Sequence, residues 1–156
     1  MIYGAIDVGN APWYTDLTEV FRKIGCELNN YNWLITDTEV NSRNGVCESL
    51  NTHKYVFLSS KELTALLLAD HAQWIFGVLS GFHKDVPLQK ILEYPLPRSD
   101  HAGFWSVSLS VQHPLAKVEI LPWDSMCVLV ISKNKKVVDQ FREAYPNSQE
   151  LEKYNQ

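Results

Sequence analysis

One triplet occurs twice, as Asp70-His71-Ala72 and Asp100-His101-Ala102, and its residues are those best suited by type to chemistry. A carboxylate oxygen and an imidazole nitrogen together suit a divalent transition metal. Each triplet stands just before a strand-like run. Neighbouring side chains of an extended chain point to opposite faces, so a single triplet chelates poorly. A metal site therefore requires the fold to bring both triplets together. Otherwise they are turn formers at strand entries. A Cys–His nucleophile pair would draw on Cys47, in a polar segment where exposure is expected, but nothing basic stands near it to favour the thiolate. Asp37 and Glu39 share a strand face by period two, an arrangement that suits a solvated edge. No G-x-S-x-G elbow, G-x-x-x-x-G-K-S/T loop or H-E-x-x-H helix is present. Candidate residues thus exist without a constellation. No catalytic, cofactor-binding or metal-binding residue is assigned, no cofactor is expected, and the reading leans away from an enzyme.

What remains is a surface. Phe104 to Gln112 alternates, with Trp105, Val107, Leu109 and Val111 on one face and Ser106, Ser108, Ser110 and Gln112 on the other. Period two with one polar face predicts an antiparallel strand whose second side meets water or a partner. Trp123 and Asp124 stand at a neighbouring turn, and Trp is typical of binding hot spots. The candidate interaction surface is therefore Ser106, Ser108, Ser110, Gln112, Trp123 and Asp124, with a solvated sheet face as the plain alternative.

The elements that would position these residues follow from hydrophobic period. Met1–Val8, Asn32–Thr38, Tyr55–Leu58, Gln73–Leu79, Lys117–Leu121 and Met126–Ile131 also read as strands. Within Lys117–Leu121, Val118 and Ile120 alternate with Lys117 and Glu119, and His113-Pro114 supplies the turn before it. Glu39 to His53 is polar and holds an Asn44-Gly45 turn. Leu17, Val20, Phe21 and Ile24 form one helical stripe behind an Asp16–Glu19 capping box, with Gly25 as its stop. Ser59–Glu62 is a second capping box, ahead of Leu63, Leu66 and Leu67. Asp85 caps a short helix, and Val137, Val138, Phe141 and Tyr145 mark the last long one, stopped by Pro146. A final turn begins at Asn147. The strand-Ser-Lys-helix exits at Tyr55–Lys61 and Val128–Lys133 use one device twice. Together these predict a single α+β domain over 1–156: an antiparallel or mixed sheet of about six strands with helices packed mainly on one face.

The totals agree. The chain has 156 residues, 46% of them hydrophobic, and a net charge of −4. That length buries a core without staples. The longest basic cluster is Lys133–Lys136, too small for a nucleic-acid footprint, so no nucleic acid is expected. Cys26, Cys47 and Cys127 are odd in number and form no C-x-x-C pair, which speaks against a disulfide framework or a zinc site. The first residues are too polar for a signal peptide, and no apolar run reaches the ~20 residues of a membrane span. No membrane and a cytoplasmic setting are expected.

Two resemblances add to this. Ile6-Asp7-Val8-Gly9-Asn10 resembles the first phosphate motif of the actin-like ATPase and sugar-kinase superfamily, in which the Asp handles the metal–nucleotide. Pro12 and Trp13 follow at once, no second phosphate loop exists, and the motif reads as a strand ending in a Gly-Asn turn. Asn30–Ile35, Trp123–Ser125, Ile131–Lys133, Phe141–Pro146 and Glu150-Leu151 resemble a family of small uncharacterised proteins, a domain of unknown function, from Gram-positive bacteria. That likeness implies no activity. The expectation is a non-enzymatic interaction protein, of the immunity or regulatory type, that binds a protein partner, with homodimerisation through an unpaired sheet edge also open. The alternative is a small enzyme or a ligand- or metal-binding domain near the Asp-His triplets.

Overall fold

The computed structural model describes residues 1–9 and 16–156. Among the described residues, seven strands form one open antiparallel sheet: β1 (Tyr3–Val8), β2 (Tyr31–Asn41), β3 (Tyr55–Ser59), β4 (Gln73–His83), β5 (Val118–Trp123), β6 (Cys127–Ser132) and β7 (Gln149–Glu150). Their order across the sheet is β3-β2-β4-β5-β6-β1-β7. Six short α-helices accompany them among the described residues: α1 (Leu17–Lys23), α2 (Gly25–Leu28), α3 (Ser60–Ala69), α4 (Leu88–Ile91), α5 (Lys135–Ala144) and α6 (Leu151–Tyr154). The α+β architecture is as the hydrophobic periods predict. Asn10, Pro12 and Trp13, which follow the Asp7-Val8-Gly9 turn, lie outside the described residues.

The longer helices α1, α3 and α5 share one face. There Ala5, Trp33, Ile35, Leu79, Ile120 and Val130 meet Phe21, Leu63, Leu67, Val137 and Phe141. Ser59 and Glu62 form the expected reciprocal cap of α3. Asp16 caps α1 by accepting from the Thr18 N–H, but Glu19 pairs with Arg22 instead of turning back. Gly25 does not stop α1 in a left-handed turn; it opens α2. Pro87, not Asp85, precedes α4.

Gly81 in β4 is required by the helical face. A Cβ there would lie 2.7 Å from Val118 Cγ1 and 3.1 Å from the Trp33 ring, whose side chain is fully buried. Both neighbours are held in the sheet core, so Gly81→Ala should cost about 2 kcal/mol, read as a lowered denaturation midpoint in guanidinium.

The second face is covered differently from expectation. Phe104–Gln112 is not a strand. Ala102–Trp105 is a 3-10 turn, and the chain from Ser106 to Lys117 runs irregularly over the sheet. A strand needs a free edge to pair with, and β5 already has β4 on one side and β6 on the other. The segment therefore seats its apolar residues singly. Phe104 and Leu109 join Ile6, Val78, Leu121 and Leu129, while Ala116 joins Leu34, Phe82 and Ile91. Val107, assigned by alternation to the buried side, is 54% exposed.

This covering buries Glu119, which the alternation placed toward solvent. Its carboxylate accepts the Gln112 N–H, the His113 N–H at 3.4 Å and the Ser80 hydroxyl at 3.1 Å. It thus ties the crossing segment to the sheet. Burial pushes its pKa up to about 7, against the pull of those donors and of Lys133. His113 lies beside it between Phe82 and Tyr94, its Nε2 2.9 Å from the Ile91 carbonyl and its Nδ1 accepting the Leu115 N–H. Burial lowers its pKa, and the ring is neutral in this arrangement.

Candidate functional site

The residues assigned to a flat polar strand face are dispersed. Ser108, Ser110 and Asp124 are exposed, and the Ser106 hydroxyl accepts the Ser108 N–H. Gln112 is half-buried and grips the Arg98 backbone twice: its carbonyl accepts the Arg98 N–H and its amide donates to the Arg98 carbonyl, both at 2.9 Å. Trp123 sits edge-on between Phe76 and Trp105, at 5.0 and 5.2 Å between ring centres. Asp124 and Ser125 make the tight β5–β6 turn in the left-handed region, with φ of 52° and 57°. Trp123 is thus chiefly a packing residue.

The two Asp-His triplets have separate partners. Buried Asp70 accepts from Ser42 Oγ, the Cys47 N–H at 2.9 Å and the Arg43 N–H at 3.1 Å. Burial alone would raise its pKa, but these donors together hold it below the usual carboxylate range. His71 instead meets Asp16 at 2.9 Å. Asp100 takes the Arg98 guanidinium, and His101 stacks edge-on to Phe104. Among the described residues no three His, Cys, Asp or Glu side chains are placed to hold a metal ion. Cys47 is buried, contrary to the exposure expected of a polar loop. Burial, with the Asp70 charge behind it, pushes its thiol up to about 12, so it is not a nucleophile at neutral pH.

The site that the fold does build lies at an irregularity in β2. Register with β4 runs regularly to Thr36–Val78, shifts before Glu39–Phe76 and shifts again before Val40–Trp74. Asp37 sits in the break with φ of 50°, a left-handed conformation that costs a non-glycine residue energy. Period two fails there, so Asp37 and Glu39 do not form the regular pair expected of them. The break turns Asp37 toward the segment after α4, where its Oδ2 accepts both the N–H and the hydroxyl of Ser99 at 2.7 Å. An open groove of about 360 Å³ results, walled by Thr36, Asp37 and Thr38, by Asn51, His53 and Lys54, and by Leu96, Pro97 and Arg98. Thr38 donates to the Leu50 carbonyl and Asn51 exchanges two bonds with the Val40 backbone, which fixes the wall. Thr36 is 2% exposed, and its hydroxyl has no hydrogen-bond partner among the described residues. Local pattern gave little signal for this groove: Asp37 interrupting an apolar strand was the only visible mark.

Beside the groove the sheet ends. Tyr55, the first residue of β3, is in register with Thr36. Only β2 pairs with β3 among the described residues, so alternate N–H and C=O groups along its other side point outward. Its sequence, Tyr-Val-Phe-Leu-Ser, carries no charge, no proline and no bulge, and all five residues remain partly exposed. The opposite edge is blunted as edges usually are. There β7 is two residues long, Glu150 is paired with Arg142 and Lys153, and α6 follows at once. No protein-family model, no curated protein and no solved structure matches the chain.

Proposed function

We propose that the chain is a non-enzymatic binding protein of the bacterial cytoplasm, which takes up an extended segment of a protein partner on the free edge of β3. One observation carries this reading: of the two sheet edges, β7 is short and charged, while β3 is apolar, regular and, among the described residues, unpaired on its outer side. A flat apolar edge is a template for another strand, and strand addition supplies main-chain hydrogen bonds with side-chain contacts at alternate positions. A role of the regulatory or immunity type, in which one chain occludes a segment of another, fits that mode of binding.

Charge selects the occupant. Exposed Lys54 and Lys61 flank β3 at its two ends and, among the described residues, form no ion pair, although the chain as a whole carries −4. A second copy paired antiparallel through β3 would bring Lys54 of one chain toward Lys61 of the other. Like charges so placed oppose pairing, and acidic residues at those positions favour it. The expected partner segment is therefore extended, apolar at alternate positions and acidic.

The test uses a blocked seven-residue peptide alternating valine and glutamate, and its counterpart with lysine for glutamate. Calorimetry should give a Kd of about 0.1 mM for the acidic peptide and no measurable binding of the basic one. Equal binding of both peptides, or of neither, contradicts the proposal. So does a dimer seen by light scattering that the acidic peptide does not dissociate.

A further inference from the structure

The groove at the β2 irregularity has chemistry of its own, and we infer that it is a carboxylate-binding site. This deepens the strand-addition reading, since the groove begins where β3 begins. Three polar groups of its lining residues are left without a full set of protein partners among the described residues. The Thr36 hydroxyl is buried and unpartnered, although buried hydroxyls are almost always hydrogen-bonded, and an orphan on a cavity wall is a donor without its acceptor. Lys54 is exposed and, among the described residues, without an ion pair. His53 is oriented by the bond between its Nδ1 and the Ser49 carbonyl at 2.7 Å, which leaves Nε2 as its other polar atom. The remaining polar wall groups are already engaged: Thr38 and Asn51 with backbone, Asp37 with Ser99, and the Arg98 Nε and Nη2 with Asp100.

The charge count sets the class of anion. Lys54 supplies one uncommitted positive charge, Arg98 is offset by Asp100, and Asp37 places a negative charge in the wall. One carboxylate is matched by Lys54 and by the Thr36 donor, whereas the second charge of a dianion such as phosphate would meet Asp37 with no uncommitted cation left to offset it. A groove of about 360 Å³ suits a group of one amino-acid residue's size. Because His53 and Lys54 of the groove directly precede β3, a segment lying on β3 would deliver an acidic side chain or its terminal carboxylate beside Lys54. A free small carboxylic acid offers the same chemistry.

The experiment separates these two sources. Amide chemical shifts of the protein are followed by NMR with sodium propionate, against sodium chloride at equal ionic strength, and with the valine–glutamate peptide. The measurements are repeated on Thr36→Val and Lys54→Met. Thr36→Val removes only an unpartnered hydroxyl, so its thermal midpoint should not fall. Propionate and peptide should both shift the Thr36 and Lys54 amides, and each variant should bind both probes about tenfold more weakly. If the peptide binds β3 but both variants bind it as tightly as the parent, the carboxylate site is refuted and the edge reading stands. If propionate binds with the predicted losses while the peptide leaves β3 unperturbed, the groove is a small-acid site and the edge reading falls. No shift at Thr36 or Lys54 with either probe overturns the inference.

Discussion

Replacing Glu119 with alanine should lower the free energy of unfolding by about 3 kcal/mol, because three donors, two of them buried, lose their acceptor together. Those donors are the Gln112 N–H, the His113 N–H and the Ser80 hydroxyl, and Ser80 is itself fully buried. Each bond joins the crossing segment to the sheet or fixes the carboxylate that does so. The loss should be read from equilibrium denaturation, accompanied by faster amide exchange at Gln112 and His113. Normal stability in Glu119→Ala would show that the segment holds its place without this anchor.

The same carboxylate gives the fold a pH dependence whose sign is set by burial. Its pKa rises from the ordinary 4.5 to about 7, so between those values the folded chain holds a proton that the unfolded chain has released. The stability linked to that proton is fully present below pH 4.5 and is lost as pH rises through about 7, amounting to about 3 kcal/mol. His113 acts in the opposite sense. Its lowered pKa makes the fold lose stability as pH falls below the ordinary 6.5. Glu119→Gln retains His113 and removes the carboxyl. The stability difference between parent and Glu119→Gln should therefore shrink as pH rises from 4.5 to 7, and a constant difference would rule out titration of Glu119 in that range.

Proline substitution in β3 should produce two opposite outcomes at adjacent positions. Val56 and Phe57 point their N–H groups to opposite sides of the strand, one toward β2 and one outward. Proline at the inward position removes a ladder bond and should destabilise the protein by about 3 kcal/mol. Proline at the outward position keeps the ladder, is tolerated as prolines on edge strands are, and should abolish binding of the acidic peptide. One folded variant without peptide binding, beside one destabilised variant, is the expected pattern. A folded outward variant that still binds would mean the edge is not the site.

Which parts of this were legible in the sequence follows from how local each signal is. The Ser59–Glu62 cap, the apolar runs of β3 and β6 and the stripe of α5 are decided by residues within one or two turns, and each formed as its pattern implies. Phe104–Gln112 shows the limit. Its alternation is as regular as that of any strand in the chain, yet strand formation also needs an unoccupied edge, and that depends on β4 and β6. Glu119 was misplaced for the same reason. A polar residue alternating with Val118 and Ile120 reads as solvent-facing until a distant segment covers it. The Asp37 break and the groove beside it arise from a register mismatch between two strands, of which Asp37 within the apolar run of β2 is the only local mark. Gly25 carries a helix-stop residue type, but α2 resumes the helical path at once, and no left-handed turn is made there.

The most direct test of binding at the β3 edge is amide hydrogen exchange along Tyr55–Ser59, with and without the valine–glutamate peptide. In the free chain, outward-facing amides of β3 should exchange rapidly beside slow neighbours that bond β2. With peptide present, those fast amides should become protected while β7 is unchanged. Protection that already exists in the free chain, or exchange that saturating peptide leaves unaltered, would contradict the account.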